Sequence, residues 1–217
     1  MSVRTIPKNH LMVTGGFSSS KNDQMAAFES LLEKDFFLLL DFDDSVESIE
    51  PQPVRVPVLG VPNGYVPDAL IHYRLDPVTG VARKPRLVDV KHTSDLERNG
   101  RKYETKFESA KQYAEERGWV FEVVVQKHIR SVRLQNLKFL REYRNIEPAE
   151  ADIVRVLDCL EAKGSLSGLL GILANSDEER LHWLPIIWYM VLHHHLQTDL
   201  DEPFTNDTPL WQKGGAS

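Results

Sequence analysis

Three residues in the first half of the chain have the types and spacing to hydrolyse a phosphodiester. Asp68 follows Pro67 at the head of an apolar run to Tyr73, and Asp89 and Lys91 close a second run that begins at Pro85. Such hydrolysis calls for a cation that stabilises charge on the phosphate and lowers the pKa of the attacking water. Mg²⁺ prefers oxygen ligands and takes a few carboxylates, leaving positions for water and phosphate. Alternation along a strand returns Lys91 to the face of Asp89, where it can hold or deprotonate the water or stabilise developing charge. Val90 faces the other way, with its carbonyl oxygen left available as a further ligand. Taken alone, the Asp and Asp-x-Lys pattern also fits an ordinary hairpin with surface charges.

The elements that must position these residues can be read from the pattern. Asn22 or Asp23 caps a helix to about Leu40, with apolar Phe28, Leu31, Leu32, Phe36, Leu39 and Leu40 at helical spacing. Residues 46–50 and 54–58 read as short strands separated by Pro51 and Pro53, and Asn63-Gly64 as a tight turn. Residues 67–73 and 85–91 form a hairpin across the turn at 76–80. A polar loop around Asn99-Gly100 leads to a helix over 101–117, stopped by Gly118. The nearly continuous apolar run over 119–126 predicts a central strand covered on both faces. A helix follows over 134–143. The order gives an α/β sandwich.

Composition shifts after Asn145. Residues 146–217 hold 4 Lys/Arg against 12 Asp/Glu, whereas residues 83–144 hold 16 against 9, within a chain of net charge −6. A basic middle can follow a phosphate backbone and the acidic end cannot, which argues against a protein that simply coats nucleic acid. The division predicts a flexible segment over 1–20, a catalytic domain over 21–145 and a third part over 146–217. That part reads as helices over 149–163, 166–174 and 177–194, the last with a capping box at Ser176 and Glu179, and two short strands near 197–200 and 208–211. The N-terminus lacks the apolar core of a secretory signal, and no apolar run reaches the length of a membrane span. The single cysteine, Cys159, excludes an intramolecular disulfide and suits a reducing cytoplasm; its apolar helical neighbours predict a buried core residue.

Residues 29–53 carry a fuller pattern. Glu33 lies eight residues before Asp41, in a helix that runs into Leu39-Leu40-Asp41-Phe42-Asp43, and a strand ending near Gln52-Pro53 follows. This resembles the opening of TnsA, the endonuclease subunit of heteromeric cut-and-paste transposons, and the likeness continues through Asp68, Asp89-Val90-Lys91 and the helix and strand after them. It covers roughly residues 25–145. The resemblance implies a restriction-endonuclease-like mixed sheet and a PD-(D/E)xK site, with Glu33, Asp68, Asp89 and Lys91 catalytic. Glu33, Asp68, Asp89 and the Val90 carbonyl would bind Mg²⁺, with Mn²⁺ able to substitute. Some TnsA members have Gln where this chain has Asp89, and Glu29, one turn before Glu33, is the alternative acidic ligand.

The resemblance also implies double-stranded DNA at transposon ends as substrate, hydrolysed at the 5′ strands, with the transposase TnsB and the ATP-dependent regulator TnsC as partners. It extends more loosely to a small helical winged-helix domain over 146–217. The acidic start of that domain's third helix, Asp177-Glu178-Glu179, suits protein docking rather than DNA reading. A standalone restriction or repair nuclease and a non-catalytic scaffold stay open beside this reading. The run His193-His194-His195 reads as a helix end rather than a metal cluster, because adjacent helical side chains diverge. His92 reads as a phosphate contact or a cap, Glu104 and Glu108 as solvated, and Trp183 and Trp188 as core.

Overall fold

A computed structural model describes residues 15–17, 19, 21, 26–160 and 164–212. They form two compact units that meet between Arg130 and Ser131. The boundary predicted after Asn145 differs, because the helix around residues 134–140 packs with the second unit. Most of the flexible segment expected over 1–20 lies outside the described residues.

In the first unit, β1 (Gly15–Phe17) pairs antiparallel with β2 (Ala26–Phe28), so this stretch joins the fold instead of standing free. Phe17 is buried against Phe37, with ring centroids 6.4 Å apart. Asn22 and Asp23 lie outside the described residues, and the helix expected from there begins later, as α1 (Leu31–Asp41). Ser30 is its cap, accepting from the Glu33 amide. Glu29 therefore precedes the helix and is not a helical neighbour of Glu33.

The main sheet is built from β3 (Val46–Pro51), β6 (Ala69–Tyr73), β7 (Arg86–Lys91) and β8 (Val120–Val125), in that order. Beside it, β4 (Val56–Val58) and β5 (Val61–Tyr65) form a separate hairpin. The β6–β7 hairpin is antiparallel as expected, with Ala69 opposite Val88. After α2 (Thr93–Glu115), β8 returns parallel to β7, and α3 (Gln126–Ile129) closes the unit. A mixed sheet with helices against it fits a restriction-endonuclease-like domain. β8, however, is an edge strand and not the central one. Only Val124 of it is buried, while Glu122 turns outward to pair with Arg86. An apolar run does not reveal which strand ends up interior. β7 takes that place, with Leu87, Val88, Asp89 and Val90 all buried.

The helix α2 starts at Thr93, eight residues before the expected start at Arg101, so the Asn99-Gly100 stretch read as loop is helical. Asp95 holds it together by accepting from Asn99 Nδ2 at 2.8 Å and from the Tyr103 hydroxyl at 2.6 Å. Its buried Ala110 and Ala114 let it sit close to the sheet, against Val56, Val58, Tyr65, Leu70 and Leu87. Gly118, at φ +72°, ends the turn that follows.

The second unit opens with α4 (Val132–Arg141), whose buried Leu134, Leu137 and Leu140 anchor it. Asn136 fixes it further by donating to the Leu200 and Glu202 carbonyls at 2.9 and 2.8 Å. Then follow α5 (Glu150–Cys159), β9 (Gly164–Ser165), α6 (Leu166–Leu173), α7 (Asp177–Leu192), β10 (Leu196–Gln197) and β11 (Pro209–Gln212). The strands form a sheet in the order β10-β11-β9. Trp183 and Trp188 are buried as expected, whereas Cys159 is only half-buried. Ser176 caps α7, and the Glu179 carboxylate reaches back to the Asn175 amide at 2.6 Å. His193 lies at the end of α7, and His194 adopts φ +59°. No helix among the described residues is long and apolar enough to cross a membrane.

Candidate active site

Asp68 sits one residue ahead of β6 but is still held in the sheet. Its amide donates to the Val88 carbonyl at 2.9 Å, and its carbonyl accepts from the Gln52 amide at 2.9 Å. Continuing the register by one step places Asp68 opposite Asp89. Residues 87, 89 and 91 of β7 share one face by alternation. Leu87 of that face packs on Ala114, and the Lys91 ammonium lies 5.6 Å from the Tyr103 ring centroid. The candidate residues thus gather between the sheet and α2. They open into a cleft of about 730 Å³, lined among others by Glu33, Asp68, Asp89, Val90 and Lys91.

Asp89 is 1% exposed. The Lys91 Nζ lies 2.6 Å from its Oδ2 as an ion pair, but that oxygen accepts no well-formed hydrogen bond. Lys91 Nζ instead donates to the Val90 carbonyl at 3.2 Å. Burial pushes the Lys91 pKa down, but Asp89 and Asp68 outweigh it and hold it above its ordinary value. The charged form of Lys91 is thus favoured by the aspartates beside it.

Asp68 is raised well above the usual carboxylate range, first by burial and then by repulsion from Asp89. The Val90 amide donates to its Oδ2 at 2.6 Å and partly offsets this. Glu33, 8% exposed, is raised by burial in spite of two hydrogen bonds, one from the Glu29 amide and one from the Ser30 hydroxyl, both at 2.8 Å. Desolvation rather than mutual repulsion is the leading cause for both acids. Glu29 faces the same cleft and accepts from Gln52 Nε2 at 2.9 Å.

The two aspartates and the Val90 carbonyl are the groups suited to an oxygen-preferring cation. The Asp89 Oδ2 is buried without a well-formed hydrogen bond, and the Lys91 ammonium is the cation now beside it. Mg²⁺ commonly needs only one or two carboxylates, with water and phosphate completing its shell. Glu33, held by its own cap, borders the cleft rather than closing a cage. Among the described residues, no group of three acidic, His or Cys side chains stands ready to hold a metal. His92 is exposed and contacts Gln126 Oε1 at 2.8 Å, and Glu104 and Glu108 are exposed.

Four cleft residues with polar side-chain groups were not assigned to the site from the sequence: Arg55, Tyr65, Tyr103 and Lys106. Asn63-Gly64, just ahead of Tyr65, is the one local signal that pointed to them, and it marked a turn without revealing the pairing of β4 with β5. Gly64 has φ +60°, and a Cβ there would meet the Val56 carbonyl oxygen at 2.6 Å, so glycine is needed to bring Tyr65 in.

Residues 43–126 match the model of a family described as TnsA-like endonuclease N terminal. Asp68, Asp89, Val90 and Lys91 fall inside the matched span, and Glu33 lies before it. No curated protein matches the chain.

Proposed function

We propose that this chain, which carries a TnsA-like endonuclease domain, is the hydrolytic subunit of a Tn7-like transposition system and cuts the 5′ strands at transposon ends. The observation that carries the reading is the gathering of Asp68, Lys91 and the buried Asp89 in one cleft of the matched domain, with Lys91 paired to Asp89. Asp68, Asp89 and the Val90 carbonyl would hold Mg²⁺, with Mn²⁺ as a substitute and Glu33 at the edge of the same site. When bound, the cation supplies positive charge to the phosphate and acidifies water.

The chain's own residues do the rest. Lys91, kept protonated by the aspartates, faces the negative charge that grows on the phosphate oxygens during attack. Ser30 and the Glu29 amide hold Glu33 in one rotamer at the rim. The sheet ladder around Asp68 fixes its backbone on both sides.

The second unit is proposed as a winged helix. Its support is the order of elements after α4, namely helix α5, strand β9, helices α6 and α7 and strands β10 and β11, with the last strand between the other two. The acidic first turn of α7, Asp177-Glu178-Glu179, repels phosphate, so the unit is assigned to protein docking, with TnsB and TnsC as partners and a cytoplasmic setting.

The test is strand-specific cleavage of transposon-end DNA by the full chain with its transposase and regulator in Mg²⁺. Asp89→Ala is expected to reduce 5′-strand cutting at least ~100-fold while 3′-strand cutting persists, in line with the loss of a group that acts on transition-state charge. Equal 5′ cutting by both proteins would remove Asp89 from the site.

A further inference from the structure

Two polar atoms buried in the cleft lack a hydrogen-bond partner: Oδ2 of Asp89 and the hydroxyl of Tyr65. Native proteins rarely leave such atoms unsatisfied, and an exception calls for a ligand, an ion or a catalytic role. Tyr65 is 8% exposed. Its ring has an ordinary packing role against Val56, Val58, Ala110 and Phe107, the last with centroids 6.3 Å apart. Phenylalanine would fill that space equally well. The hydroxyl is what packing does not account for.

Asp89 raises the phenol's pKa beyond what burial alone does, through its charge and through an incipient hydrogen bond with the hydroxyl, and Asp68 adds to this, but the contact to Asp89 falls short of full hydrogen-bond geometry. It stays protonated and can only donate to an anion beside it. The Asp89 carboxylate is the anion at hand, and its Oδ2 is at present engaged by Lys91 as an ion pair.

We propose that Tyr65 is a positioning residue for Asp89, its hydroxyl donating to the Asp89 carboxylate when a divalent cation shares that carboxylate. The hairpin of β4 and β5 thereby becomes part of the cation site, although it contributes no ligand. A hydrogen bond to a ligating carboxylate fixes its orientation, and loss of such a bond typically costs about 10–100-fold in metal affinity. This inference rests on the proposed function, since it takes Asp89 as a cation ligand.

The experiment is a Mn²⁺ binding isotherm on the full chain without DNA, for wild type, Tyr65→Phe and Asp89→Ala, with melting temperatures measured free of cation. Tyr65→Phe is expected to bind Mn²⁺ about 10-fold more weakly. It should melt at or above the wild-type temperature, because it loses only a buried donor without a partner. Asp89→Ala should lose the site. Wild-type affinity in Tyr65→Phe beside loss in Asp89→Ala overturns the role of Tyr65 and leaves the cation site standing. Wild-type affinity in Asp89→Ala overturns the cation site and this inference with it. A cation-free Tyr65→Phe that melts well below wild type shows that the hydroxyl has a structural partner, which also overturns the proposal.

Discussion

At the scale of single residues, the raised acids give the protein a pH dependence of unusual sign. Asp68 and Glu33 both prefer the protonated form in the fold more than they would in an unfolded chain. Between the ordinary carboxylate range and their raised values, the native state binds more protons than the unfolded state. Stability of the cation-free protein therefore falls as pH rises through that window. A divalent cation competes for the same oxygens and relieves the cost of ionising Asp68, so its stabilising effect should grow with pH. Melting temperatures across pH 4–8, with and without Mg²⁺, are expected to diverge upward. Parallel curves would show that the cation does not bind at the ionising acids. Asp68, Asp89 and Lys91 were legible in the sequence because a period of two fixes their face once the strands are known. Glu33 was not legible that way. Only the likeness over residues 29–53 singled it out, and its carboxylate is set by a capping arrangement begun at Ser30.

At the scale of elements, the legible parts were those with a strong period or a firm stop. The β6–β7 hairpin, the end of α1 at Asp41 and the stop at Gly118 fall where the pattern puts them. The missed parts depend on contacts between residues far apart in sequence. β5 contains Pro62, Asn63 and Gly64 and has no alternation, yet it becomes a strand because Tyr65 lies opposite Val56 and is buried against α2. The first turns of α2 look like loop because Asn99 and Gly100 favour turns, but Asp95 binds both Asn99 and Tyr103 across helical spacing. The hairpin can be tested through Gly64. Gly64→Ala must accept φ +60° and a Cβ 2.6 Å from the Val56 carbonyl oxygen, so neither relaxation is free. A loss of about 1–3 kcal/mol in urea unfolding is expected, the scale of backbone strain at such a position. Tyr65 would shift with the turn, so cleavage should fall further than stability alone explains. An Ala variant as stable as wild type would mean the hairpin yields easily and does not hold Tyr65 rigidly.

At the scale of the whole molecule, charge limits how the protein meets DNA. The chain is acidic overall, at −6, and the excess lies in residues 146–217. In the first unit, Arg55 and Lys106 line the cleft with the acids, and Arg86 is committed to Glu122. Each phosphate neutralised contributes a salt slope of about −0.9, so a chain engaging two or three phosphates gives a slope of roughly −2 to −3. The isolated protein is therefore expected to bind transposon-end DNA weakly, with a logarithmic salt dependence in that range. Efficient cutting would then depend on a partner that delivers the DNA, which agrees with the second unit acting through protein contacts. Fluorescence anisotropy between 50 and 200 mM salt decides the matter. A slope steeper than about −6 would require a much wider basic surface than the cleft provides, and the protein would then find its ends unaided.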